Sequence, residues 1–339
     1  MKLVETGVRS SRFSFSIISS QDAQIFWNNA PDASAFTEPA ILERLSLKVD
    51  WLLAAKGDVP VCLWPVCLPD GGSPAIPDFC YYIGPVWNKH GVHAPVHRWL
   101  ADSTSVYQGF ITLMVQRYGE IHAQMPLGMQ DIRVFDWWNY HEPNKPRFII
   151  KPRYTACIRN IQSMSDEQIQ CNLRNKRRQV LRAIMKQGAP QRSDTWKEEE
   201  LVNLYLDVMR NQGQSVSTRC LKNIHSLCVL VNEGKGEVVA FRHGNNEIMS
   251  AGMLLYGKNV ANLVLCLTAS KWRDEKITLW TMYSMIMAGR AKGMDVIDFN
   301  GANSPLRADD KHSYGARAEL FFELHYDETM NGSIDISRI

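Results

Sequence analysis

The sequence predicts a mixed α/β chain, α+β in the stricter sense, built as two mixed-sheet domains over residues 1–160 and 161–339. Three observations carry this. Helical and strand periodicities are interleaved along the whole chain, which argues against a bundle. A length of 339 residues is enough for two domains. The second half also runs helix, helix, three turn-linked strands, helix, strand, strand, and so repeats the mixed content of the first.

Taken in order, Asp22–Lys56 carries helical signals, first in SQDAQIFWNN and then in EPAILERLSLKVDWLLAAKG. Pro39 suits the first turn of that second helix and Gly57 its end. Val59–Leu68 reads as a strand, followed by a Pro- and Gly-rich loop. Val106, Phe110, Leu113 and Tyr118 recur at helical spacing. Ile132–Trp138 and Tyr154–Ile161 read as strands. Helices follow over 166–186, 198–210 and about 218–227, then strands over 236–243, 247–256 and 262–268. Gly244-Asn245-Asn246 and Gly257-Lys258-Asn259 are hairpin turn signals between those strands. An apolar helix, Ile277–Ala291, precedes a buried strand at Met294–Phe299.

That strand opens a polar loop holding Asn300, Asn303, Ser304, Arg307, Asp309, Asp310 and Lys311, and an apolar strand returns around Leu320–Leu324. A polar loop between two core strands is where a rigid scaffold presents chemistry, although a solvated connection is the commoner case. Upstream, Gln168–Ser193 holds seven basic residues and no acidic one. Arg174, Arg178 and Arg182 recur every four residues and would line one helical face, opposite a stripe of Ile169, Leu173, Val180 and Ile184. Such a face favours phosphate, as in a nucleotide sugar, coenzyme A or a tRNA acceptor stem; a basic surface with no ligand is an even rival.

Composition excludes several classes. The chain is 45% apolar and 22% charged, with net charge +3, so no global field recruits nucleic acid or membrane. No stretch is apolar enough to span a bilayer, and the N-terminus lacks a signal-peptide run. A cytoplasmic protein is expected, compatible with work beside a membrane. The eight cysteines are scattered without a C-x-x-C pair, and reduced core thiols are expected. His90, His93 and His97 lie in a Gly- and Pro-bearing loop without ligand spacing, so no metal is expected.

Asp310-Lys311-His312-Ser313-Tyr314-Gly315 resembles the Phe-Lys-x-x-Phe-Gly signature of the Fem-type aminoacyltransferases and the wider GNAT-like N-acyltransferases. Asp310 departs from the usual apolar residue. The likeness extends to RNKRRQVLRAIMKQG (Arg174 to Gly188), DIRVFDWWNY and KPRYTACI, and so to most of the chain. It implies two GNAT-like domains packed as in Fem-type transferases, with the first on the acceptor side. It implies an acyltransferase that forms an amide on an amine of a cell-envelope precursor, an amino sugar or a peptidoglycan peptide, soluble or lipid-linked. The donor would be acyl-CoA or aminoacyl-tRNA, with no tightly bound cofactor. Direct attack is expected, because no Ser or Cys sits in a nucleophile motif.

By match, the electrophilic lysine is Lys311, which Asp309 and Asp310 would help keep charged. Tyr314 is the candidate proton relay, with Ser313 as a weaker one. Asp298, counted with the catalytic group, and Asn300 are candidates to bind the acceptor amine. Asn303, Arg307 and Arg317 are further substrate-binding candidates. On the acceptor side these are Arg133, Asp136, Trp138 and Arg153. Among the aromatics, Phe135 and one of Trp137 and Trp138 are expected in the core and the other on a cleft wall, with Trp64, Tyr81, Tyr82 and Trp87 as further wall candidates. CoA-dependent relatives hold pyrophosphate on a Gly-rich turn before the helix, whereas Thr268–Lys276 has no glycine and carries Asp274 and Glu275. A non-catalytic sugar- or nucleotide-binding module on the same fold is the alternative.

Overall fold

A computed structural model describes residues 4–9, 12–31, 33–89, 95–193, 195–244, 247–273 and 276–330. His90, His93, the Asn245-Asn246 turn and the acids Asp274 and Glu275 lie outside the described residues. The chain divides into two compact units, Met1–Arg153 with Leu320–Ile339, and Tyr154–Glu319. This corrects the second boundary: the chain from Leu320 onward returns to the first unit.

In the first unit, strands β1 (Val4–Arg9), β2 (Ser14–Ile18), β3 (Lys48–Lys56), β4 (Val59–Leu68) and β5 (Val86–Trp87) form an antiparallel sheet in that order. Helices α1 (Ser20–Asn28), α2 (Pro39–Leu45) and α3 (Val96–Tyr118) accompany it. The core gathers Phe15, Leu52, Trp64, Phe110 and Phe135 from the sheet, α3 and the turn α4 (Arg133–Asp136). Strand β6 (Glu120–Gln124) pairs antiparallel with the end of β12 (Arg317–Asp327).

Two expectations fail here. Lys48–Lys56 is a strand, because it sits between β2 and β4, and Asp50 to Ala55 are all buried. A strand covered on both faces shows no alternation, so it reads as a helix. Gly57, at φ +59°, opens the two-residue turn to β4. Ile132–Trp138 is one helical turn rather than a strand; Val134 and Phe135 enter the core, and the Trp137 N–H donates to Arg133 O at 2.8 Å.

In the second unit, residues 154–159 of β7 (Ile149–Arg159), whose first five residues belong to the first unit, β11 (Val296–Asp298), β10 (Val260–Thr268), β9 (Glu247–Tyr256) and β8 (Gly236–His243) are neighbours in that order, with β10 and β11 parallel. Helices α5 (Asp166–Asn172), α6 (Asn175–Gln187), α7 (Glu198–Asn211), α8 (Thr218–Asn232), α9 (Ile277–Ala291) and α10 (Pro305–His312) complete it. Leu181, Phe241, Leu254, Met285, Ile286, Phe299 and Tyr314 belong to its core. The predicted helix 166–186 is broken at Leu173 and Arg174, both extended. The break is tertiary: Leu173 is buried, and the Arg174 N–H donates to Ser313 O at 2.9 Å instead of to its own helix. The polar loop also proves partly helical, since Ser304-Pro305 starts α10.

Ser165 caps α5 with a reciprocal capping box to Gln168. Ser165→Ala should cost about 1 kcal/mol, measured by urea denaturation; no change in midpoint would show that Gln168 alone suffices. No helix among the described residues is long and apolar enough to cross a membrane. All eight cysteines are free; burial pushes the thiols of Cys62, Cys67, Cys80 and Cys157 up, while Cys171 is exposed.

Candidate active site

The second unit gathers its chemistry where β11 ends. Asp298 is fully buried; its Oδ1 accepts from the Thr155 hydroxyl at 2.5 Å and from the Asn300 N–H at 2.8 Å. Ladder register puts Asn262 of β10 and Cys157 of β7 on either side of it. Beyond Asp298 the chain turns sharply, with positive φ at Asn300 (51°) and Gly301 (36°). The turn aims the carbonyls of both residues at Lys311, whose Nζ donates to each. Asn300 in turn donates from Nδ2 to Leu263 O at 2.8 Å. Its own Oδ1, and Asn262 Nδ2, are buried and have no hydrogen-bond partner among the described residues.

Lys311 stands in the last turn of α10. Burial pushes its ammonium down to about 8, and Arg307 adds to this, while Asp298 and Asp310 oppose it. The expected help from Asp309 is corrected. Asp309 is taken by Arg174 in a two-pronged ion pair (3.0 and 2.5 Å), which holds its carboxyl below the usual range, and Asp310 pairs with Arg177. The first of these pairs corrects the unneutralised basic face at Arg174 alone, with a counter-charge from α10, far away in sequence and adjacent in space. Arg178 donates to Cys171 O and Asn175, and Arg182 is exposed.

Tyr314 lies wholly in the core, stacked with Phe299 at 6.0 Å. Arg177 lies over its ring at 4.4 Å and donates to its hydroxyl at 2.9 Å. Gly315, at φ +87°, lies against Asn172 of α5. The signature therefore ties the start of α6 to α10 through Arg177, which the sequence reading counted in the basic run without giving it a role. Asn262 and Thr155 were also missed, though Asn262, a polar residue amid the apolar run of β10, was a legible signal. Asn303 is exposed and accepts from the Tyr154 N–H at 2.7 Å; Arg307 and Arg317 are exposed.

The turn between β10 and α9 is held by α7. Asp207 accepts from the Ser270 N–H at 2.9 Å and from its hydroxyl at 2.7 Å, contacts that keep its carboxyl ionised below the usual range. A cavity of about 420 Å³ beside it is lined by three carboxylates, Glu200, Asp207 and Glu247, and one ammonium, Lys271, which pairs with Glu247 at 2.5 Å.

The acceptor-side candidates all fall in the first unit and do not converge there. Arg133 binds Asp131 (2.7 Å) and stacks on the exposed Trp137, while Asp136 receives Arg147. Arg153 pairs with Glu323 at 3.2 Å, and Trp138 is half-buried against the core. Phe135 is core, as expected, and so is Trp64.

The fold is that of the Fem-type, GNAT-like proteins, a mixed α/β architecture of two units. The crystal structure of FemX matches with TM-score 0.57 at 12% identity, over 91% of this chain and 96% of that one. The structure of L-PGS from Bacillus licheniformis matches with TM-score 0.53 at 10% identity, over 94% of each chain. A tandem GNAT protein from the clavulanic acid biosynthesis pathway matches with TM-score 0.50 at 9% identity, over 92% and 98%. No protein-family model matches the sequence. Comparison with curated protein sequences likewise finds no match.

Proposed function

We propose that the chain is a cytoplasmic N-acyltransferase that forms an amide on an amine of a cell-envelope precursor, an amino sugar or a peptidoglycan peptide, soluble or lipid-linked. The observation that carries this is Lys311, an ammonium held at the end of a core strand by two carbonyls and desolvated by its surroundings. Two of its three N–H donors are spent on Asn300 and Gly301, which fix its position. The third serves the oxyanion that forms when the amine attacks the acyl carbonyl. The new C–N bond then persists, the C–O or C–S bond to the donor breaks, and the proton lost by the amine balances the one gained by the leaving group. No covalent enzyme intermediate is involved. Asp298 acts through its charge on Lys311 and through the turn that it caps at Asn300. Tyr314 holds Arg177 and the turn from inside the core.

The donor reading favours aminoacyl-tRNA. Asp207 occupies the Ser270 N–H, and the adjoining cavity is acidic, so a diphosphate would meet carboxylates where it needs donors. Arg178, Arg182, Lys176 and Lys186 offer basic groups for an acceptor stem. Calorimetric titration with acetyl-CoA is expected to give no heat with a folded protein, while charged tRNA supports transfer to an amine acceptor. Micromolar CoA binding, about −8 kcal/mol, would make the donor acyl-CoA. Turnover of neither donor would overturn the enzymatic reading.

A further inference from the structure

Asp310 stands where the Phe-Lys-x-x-Phe-Gly signature carries an apolar residue, directly before Lys311 in the last turn of α10. A carboxylate there is poorly placed for its own helix, whose C-terminal end carries partial negative charge. Arg177 is poorly placed in the converse way, in the first turn of α6, which holds no acid. Each offsets the other across space. The Arg177 guanidinium donates from one nitrogen to Asp310 and from the other to the Tyr314 hydroxyl at 2.9 Å, and it lies over the Tyr314 ring at 4.4 Å. The outer pair is more open: the Arg174 side chain is 53% exposed and that of Arg177 25%. Charges partly withdrawn from water act on their neighbours with less screening.

The groups that face Lys311 can be named. Burial acts against its ammonium most strongly, and Arg307, one turn back on α10, acts the same way. Asp298 of β11 and Asp310 act in its favour. Asp309 is taken by Arg174, and the His312 ring meets Ala316 O. Cys266 of β10, near Asp310, has its thiol pushed up to about 12 by burial and stays neutral. Asp310 is therefore shared. Its charge is felt by Lys311 along the helix, yet its hydrogen bond goes to Arg177.

We propose that Arg177 is a positioning residue for Lys311: by holding the Asp310 carboxylate and the Tyr314 turn, it keeps that carboxylate from pairing with the ammonium and leaves the third N–H of Lys311 to a ligand. The consequence for rate rests on the proposed acyl transfer, whereas the titration of Lys311 does not. The test follows the ε-carbon resonance of Lys311 through a pH titration of the full chain carrying isotope-labelled lysine, assigned by its loss in Lys311→Ala. Arg177→Gln should raise the midpoint from about 8 by about one pH unit, as Asp310 turns to the ammonium. Adding Asp310→Asn should remove that rise, and Arg177→Lys, which keeps the charge, should leave the parental midpoint. In transfer assays Arg177→Gln should lower kcat with KM little changed and move the alkaline limb up with the midpoint. Asp310→Asn alone, the milder change, guards against misfolding: Arg177 already holds that charge, so a fall of about one pH unit or more would overturn the proposal. An unmoved midpoint in folded Arg177→Gln, or an equal rise in the double variant, would overturn it as well. The expected midpoints in a chain that turns over no donor would uphold it and overturn the proposed function alone.

Discussion

Replacing Lys311 with alanine is expected to lower the rate of amide formation by about 10²–10³-fold, in line with loss of a single positioned oxyanion donor. The variant should fold, because the lost contacts are two hydrogen bonds from one side chain to Asn300 and Gly301. Full activity in a folded variant would remove Lys311 from the mechanism. pH gives a second handle. The ammonium form is the working one, and its pKa is about 8, so activity should fall as pH rises through about 8. The linkage to stability has the opposite sign. The folded state holds this proton less tightly than the unfolded chain, whose lysine titrates at 10.5. Stability from this group therefore rises with pH between about 8 and 10.5, and its destabilising effect is complete below that window. Comparing pH profiles of rate and of urea midpoint, each with Lys311→Ala as reference, separates the two; an activity profile flat through pH 9 would show that charge on Lys311 is irrelevant.

Gly315→Ala should cost about 2–4 kcal/mol and disturb the site indirectly. A left-handed conformation costs a non-glycine residue about 1–2 kcal/mol, and Gly315 has φ +87°. An added methyl would also lie 2.8 Å from Asn172 Cβ and 2.9 Å from Asn172 O, a backbone atom at the end of α5 that cannot swing away. Relief requires moving α5 off the Tyr314 turn, which carries Lys311. The urea midpoint should fall clearly, and a loss below about 0.5 kcal/mol would show that the turn relaxes freely.

The signature was legible because it is local. A lysine, an aromatic residue and a glycine stand at fixed spacing in one short segment, whereas the helix that Lys311 closes and the left-handed conformation of Gly315 came from the structure, the segment having read as a loop. The setting of that signature was not legible. Nothing in the basic run says that Asp309 and Asp310 neutralise Arg174 and Arg177, because the pairing crosses more than a hundred residues. Asp207 reaches Ser270 in the same non-local way.

The sequence by itself determined the mixed α/β class, the position of most strands in the second half, and helix Ile277–Ala291. Period, turn chemistry and motif are properties of neighbours along the chain. Tertiary structure alone decided that Lys48–Lys56 is a strand, that the helix breaks at Arg174, that Leu320 onward rejoins the first unit, and that Lys311 titrates low. Each of these depends on a partner or on exclusion of water. Apolar runs and charges read alike whether isolated or paired, and only the fold supplies the strand beside β3, the carbonyl that takes the Arg174 N–H, and the burial that strips water from an ammonium.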